Sequence, residues 1–200
     1  MLSENVSPAL LLIVSGPAGS GKTTLCNRLQ QTFSPKLQRV VSSTTRTPRT
    51  GEIEGKDYYF FDNDTFEKKI KCNSFYEWAK VHDHRYGILK SEIQEKLAKN
   101  IDLVLSIDVQ GANHFREIVK TDREMAQRLV TIFILPQNIE QLKSRLRQRG
   151  NEDEAEIIRR METAVFEIPL WKKFEHCIRS RSREEDFASL CSLYSLEKTA

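Results

Sequence analysis

The segment GPAGSGKTT, Gly16 to Thr24, directly follows the apolar run Ala9 to Val14, and that order dictates a local structure. A buried strand enters a glycine-rich loop, and the loop opens into a helix. The spacing is Gly-x-x-x-x-Gly-Lys-Ser/Thr, met by Gly16, Gly21, Lys22 and Thr23. Each residue type answers a demand set by a polyphosphate. Gly16, Gly19 and Gly21 let backbone N–H groups approach an anion with no Cβ in the way, while Pro17, Ala18, Ser20 and Thr24 complete the phosphate-binding loop. Lys22 places an ammonium between the outer phosphates; Thr23 offers a hydroxyl to Mg²⁺, a hard cation that prefers oxygen. Leu25, Leu29 and Phe33 recur at four-residue spacing, so Gly21 to Phe33 reads as an amphipathic helix whose N-terminus faces the anion.

The same reading extends along the chain. Gln38 to Ser43 reads as a second short strand, Tyr58 to Phe61 as another, and the polar stretch Thr44 to Lys56 between them as a functional loop. Asp64-x-x-Glu67 offers a capping box to a helix over Thr65 to Cys72, and Phe75 to Val81 reads as a further strand. Together residues 38–87 form an inserted α+β lobe. Helices follow at Ser91 to Lys99, Gln110 to Val119 and after the cap Asn138-x-x-Gln141, alternating with apolar strands at Leu103 to Ile107 and Leu129 to Leu135. This is βαβ order, which implies an α/β fold: a parallel sheet flanked by helices on both faces, with ligand at the carboxyl ends of its strands.

Composition closes off several classes of function. The 200 residues suit one domain, 39% are apolar, and 31 basic against 28 acidic side chains leave a net charge of only +3, which demands neither a nucleic-acid nor a membrane partner. Cys26, Cys72, Cys177 and Cys191 are widely separated with no Cys-x-x-Cys, which argues against zinc and for reduced thiols. The histidines at 82, 84, 114 and 176 have no metal-ligand spacing. No Lys or Arg precedes the apolar run, and that run is too short for a signal core or a membrane span, so a cytoplasmic setting is expected.

A second anion site lies in the long loop. Ser42-Ser-Thr-Thr-Arg46-Thr-Pro48-Arg49 gathers hydroxyls and two guanidinium forks around a stiffening proline. Combined with GPAGSGKTT, with FYEWA at 75–79, YG at 86–87, IDVQG at 107–111 and RLRQRG at 145–150, this loop resembles the guanylate kinase family over residues 10–175. The resemblance implies a P-loop NTPase-type core (1–37 and 88–200), a GMP-binding lobe (38–87) and a short helical lid (145–160). It implies transfer of the ATP γ-phosphoryl to GMP or dGMP, with Mg²⁺ as cofactor, in a monomer or homodimer. Arg46 and Arg49 are then the GMP phosphate ligands, joined by Tyr58 and Tyr86; Ser42 and Glu77 read guanine; Asp108 lies near GMP and, through water, near the Mg²⁺ held by Thr23. Arg145, Arg149 and Arg160 join Lys22 and Arg46 as catalytic cations. Arg145 and Arg149, four apart, share a helix face, whereas Arg147, Arg159, Lys172 and Lys173 read as surface.

Three positions depart from the family pattern. Ser106 stands where a carboxylate contacting guanine is expected, Ile88 replaces a small hydroxyl residue, and Ile178-Arg179-Ser180 stands in place of Val-Asn-Asp beside the adenine. These departures leave room for a kinase of a phosphorylated sugar, and the fold also for a non-catalytic interaction module; RNA binding by the basic C-terminal region is a third reading. Glu77 and Ser42 favour guanine, and intact Lys22 and Thr23 favour catalysis.

Overall fold

The computed structural model describes residues 7–81, 83–149 and 153–199. Its centre is a sheet of five parallel strands in the order β2-β7-β1-β8-β9. These strands are β1 (Leu11–Ser15), β2 (Leu37–Arg39), β7 (Asp102–Ser106), β8 (Leu129–Leu135) and β9 (His176–Arg179). Every residue of β1 is buried, as a strand covered on both faces must be. Its side chains alternate: Leu11 and Ile13 pack with Phe115 and Phe133 on one face, whereas Leu12 and Val14 pack with Leu25, Leu29 and Tyr194 on the other.

Helices α1 (Lys22–Phe33) and α8 (Arg183–Thr199) cover that second face, and α4 (Val109–Val119) belongs to the first. Asp102, at the start of β7 and only 2% exposed, accepts from Leu10 N, Tyr194 OH and Lys198 Nζ. A buried carboxylate is tolerated only when so paired, and this one pins α8 to the end of the sheet away from the glycine-rich loop. Among the described residues no helix is long and apolar enough to cross a membrane.

A second sheet holds β3 (Ser42–Thr44), β4 (Tyr58–Phe60), β5 (Phe75–Val81) and β6 (His84–Leu89) in the order β4-β3-β6-β5, with α2 (Asn63–Lys71) packed on it through Phe66. The single strand expected at Gln38 to Ser43 is therefore divided between two sheets. The cause lies at Val40 and Val41. The Val40 N–H still bonds to Val104 O, but the Val41 N–H is taken by the buried Glu92 carboxylate at 2.8 Å, and the chain turns into the second sheet there. The capping box expected at Asp64 is also displaced. Asp62 caps α2, accepting from Thr65 N, while Asp64 lies in the first helical turn, where its charge suits the helix dipole.

The remaining elements are α3 (Lys90–Ala98), the short α5 (Arg123–Ala126), α6 (Ile139–Arg149), α7 (Glu154–Glu167) and a 3₁₀ segment at Ile168–Lys173. Asn138 caps α6 by accepting from Gln141 N at 2.8 Å, as the sequence implies. Helices α6 and α7 bury Leu142, Leu146, Ile157 and Met161 between them, forming a hairpin beside the glycine-rich loop.

Candidate active site

The loop between β1 and α1 is a backbone cradle. Gly16, Gly19 and Gly21 all have positive φ, and a Cβ on Gly16 would stand 2.6 Å from the Ile134 carbonyl oxygen of β8, so no other residue fits there. Lys22 Nζ donates to Gly16 O (2.7 Å) and Pro17 O (3.1 Å), holding the ammonium over the loop. Beyond it opens a cavity of about 390 Å³ lined by Gly16, Lys22, Thr23, Asp108, Arg160 and Glu167. A neighbouring cavity of about 270 Å³ touches Gly21, Thr24, Arg28, Arg145, Arg183 and Asp186. The loop thus has an anion-facing side and an adjoining hollow with three arginines at its walls.

The second sheet supplies a third cavity, about 210 Å³, lined by Ser42, Tyr58, Glu77, Tyr86, Ile88 and Asp108. Glu77 Oε2 is buried and, among the described residues, has no hydrogen-bond partner. Burial, and secondarily the charge of Asp108, pushes its carboxyl up to about 7. An orphaned acceptor costs roughly 1–3 kcal/mol, so it marks a place where a ligand's donors belong. The carboxylate fits only because residue 111 is glycine: a Cβ there would lie 2.4 Å from Glu77 Oε2. Ile88, opposite Glu77 in the β5–β6 pairing, is an apolar wall rather than a hydroxyl.

Asp108 belongs to both the loop cavity and the Glu77 cavity. Its position is fixed by capping α4, Oδ1 accepting from Gly111 N at 2.8 Å. Capping and lining are therefore done by the same carboxylate. Ser106 is placed differently from the sequence expectation. Its hydroxyl lies 3.4 Å from Thr23 Oγ1, on the side of the glycine-rich loop, and the residues beyond the end of β7 that face the Glu77 cavity are Ile107 and Asp108. Sequence alignment alone does not say which of two positions, a dipeptide apart, faces which cavity; the twist of the strand end decides it.

In the long loop, Arg46 donates to both oxygens of Glu52 at 2.8 and 3.0 Å and to Thr47 O at 2.8 Å, with its guanidinium 5.5 Å from the Tyr58 ring centre. The Tyr86 ring lies 6.2 Å from the Tyr58 ring, centre to centre. The Arg49 N–H donates to the same Glu52 carboxylate at 2.7 Å, while Arg49 itself is exposed. Arg46, Tyr58 and Tyr86 thus converge beside the third cavity; the Arg49 side chain does not line it. Of the arginines on the hairpin, Arg160 faces Lys22 across the loop cavity and pairs with Glu156 at 3.0 Å, and Arg145 faces the adjoining hollow. Arg149 shares the face of Arg145 on α6 by spacing, but its side chain lies outside what is described. Arg147 and Arg159 pair with Glu154 and Glu156 on the surface.

Sequence reasoning missed Arg28, Arg183, Asp186 and Glu167 as cavity residues. Arg28 stands one helical turn past Thr24 and was open to discovery by that spacing. Glu167, at the last position of α7, carries no local signal and is brought in by the fold alone.

A parallel sheet with a glycine-rich loop at its carboxyl edge, followed by a helix, together with a second sheet bearing its own arginine loop, defines a P-loop phosphotransferase. The family model described as guanylate kinase matches residues 9–195. The guanylate kinase of Clostridium tetani is 40% identical over 189 residues, covering 94% of this chain and 86% of its own length. That of Geobacter sulfurreducens is 41% identical over 169 residues, covering 84% and 79%. The solved guanylate kinase from Anaplasma phagocytophilum superposes with a TM-score of 0.71 at 29% identity, over 97% of this chain and 88% of that one. The chain belongs to the guanylate kinase family. Neither the sugar kinase nor the non-catalytic module is favoured by these relatives.

Proposed function

We propose that this chain transfers the γ-phosphoryl of ATP to GMP, and to dGMP, giving ADP and GDP or dGDP. The observation that carries the reading is Asp108, shared by the cavity over the glycine-rich loop and the cavity around Glu77. Donor and acceptor then meet where one carboxylate borders both. The lobe of residues 38–87 takes GMP, the hairpin region of residues 145–160 closes over ATP, and residues 1–37 with 88–200 form the core.

Glu77 accepts from guanine N1–H and the exocyclic amine, donors that adenine presents differently, and Ser42 contacts the same base. The acceptor phosphate is held by Arg46, Arg49, Tyr58 and Tyr86, replacing Glu52 in the grip of Arg46. Lys22, Arg145, Arg149 and Arg160 offset charge on the transferring group. No general base is needed, because the acceptor phosphate is already anionic. Catalysis rests on positioning and electrostatics.

The donor set of the loop cavity suits Mg²⁺: the Thr23 hydroxyl is a hard oxygen ligand, the Asp108 carboxylate would act through water, and such a cation keeps phosphate and water for its other positions. Bound with ATP, Mg²⁺ neutralises charge on the outer phosphates. Cys26, Cys72, Cys177 and Cys191 are free thiols, in keeping with a cytoplasmic setting.

A bisubstrate ligand tests the reading: adenosine and guanosine joined 5′ to 5′ by five phosphates. Inhibition competitive with both ATP and GMP is expected. Competition with ATP alone would show that the Glu77 cavity is not the acceptor site.

A further inference from the structure

The end of β7 lacks a charge that a phosphate loop ordinarily has beside it. In P-loop NTPases the metal is held by the loop's Ser or Thr hydroxyl together with an aspartate of a nearby strand. Here β7 pairs with β1, Val14 standing opposite Ser106, and the side chain set against Thr23 is the Ser106 hydroxyl at 3.4 Å. A hydroxyl is neutral, so this position contributes no charge to attract a divalent cation. Asp108 lies two residues further on, with Oδ1 already committed to Gly111 N.

Glu167, the last residue of α7, also lines the loop cavity. Burial raises the pKa of its carboxyl, the nearby charge of Lys22 opposes that rise, and the charge of Asp108 adds to it. We propose that Glu167 supplies, from the end of α7 at the loop cavity, the negative charge that Ser106 does not, and so holds the water shell of the divalent cation that binds with the nucleotide. The inference rests on the reading of this cavity as the metal–triphosphate site. It makes cation affinity depend on α7, an element of the closing hairpin, rather than on the rigid sheet. Glu167 is in this account a positioning residue, acting on the cation through water.

Mn²⁺ serves as the probe, its free ion followed by electron paramagnetic resonance as the full chain is titrated in the presence of ATP. The wild type, Glu167→Gln, Ser106→Asp and the double variant are compared. ATP-dependent Mn²⁺ binding by the wild type supports the cavity reading, and its absence would overturn that reading before the role of Glu167 is tested. Given wild-type binding, Glu167→Gln is expected to weaken Mn²⁺ affinity about tenfold, the lower end of the range for an outer-shell partner, without weakening ATP binding in the absence of metal. Ser106→Asp is expected to restore the affinity in the Glu167→Gln background, which a merely structural defect would not allow. An unchanged Mn²⁺ affinity in Glu167→Gln, or a loss that Ser106→Asp leaves in place, would overturn the role of Glu167 while leaving the cavity reading intact.

Discussion

For the role proposed for Glu77, the free protein favours the less suited, protonated form below about pH 7. Burial pushes its carboxyl from an ordinary value of 4.5 to about 7, yet only the carboxylate can accept both donors of guanine. The folded chain therefore binds a proton that the unfolded chain releases above about pH 4.5, and this residue's contribution to stability falls as pH rises through the window from 4.5 to 7. Binding runs the other way. The KM for GMP is expected to fall about tenfold between pH 6 and pH 8 as Glu77 ionises. Glu77→Gln should raise KM, remove that part of the pH dependence and stabilise the free protein at pH 8. The second ionisation of the GMP phosphate, pKa about 6, acts equally in both proteins, so the difference between their steady-state profiles isolates Glu77. In the proposed function Arg46 carries the acceptor phosphate by the bidentate fork that is closed on Glu52 in this structure. Arg46→Ala should lower kcat/KM for GMP by about a hundredfold or more, and Arg46→Lys, keeping charge but not the fork, should recover only part of it. Near-normal turnover of Arg46→Ala would contradict the assignment.

The elements place these side chains with little slack. Helix α4 begins at a turn where Asp108 caps Gly111 and Gly111 in turn leaves room for Glu77. Gly111→Ala would drive a methyl to within 2.4 Å of the Glu77 carboxylate, so the rise in KM should fall on GMP with KM for ATP little changed. Steady-state measurement with each substrate varied in turn checks this. The strand–loop–helix unit and the alternation through β8 were readable because four-residue helical spacing and apolar strand runs are local signals. The division of Gln38 to Ser43 was not, since it depends on Glu92, far along the chain, capturing the Val41 N–H. Nor was the cap of α2, where two aspartates compete and geometry selects Asp62. Helix α8 has buried or packed residues at 187, 190, 191, 193 and 194, a pattern blurred by the polar residues between them. Of the candidate site, motif spacing pointed to Lys22 and Thr23 and the family resemblance to Asp108, while the orphaned acceptor of Glu77 and the cavity position of Glu167 exist only in three dimensions.

The cavity over the glycine-rich loop and the cavity around Glu77 meet at Asp108, and the hairpin of α6 and α7 borders the loop. In the proposed function, closure of these walls around both nucleotides would keep the triphosphate away from water. Acceptor selectivity is then expected to exceed what phosphate binding alone could give, with Glu77 rejecting bases that lack its paired donors. The most direct measurement is ADP formation from ATP and Mg²⁺ with GMP, AMP, UMP and a phosphorylated sugar offered one at a time. Turnover that depends on GMP, with the other acceptors near background, is the predicted result. Comparable rates with several acceptors, or none with GMP, would contradict the account.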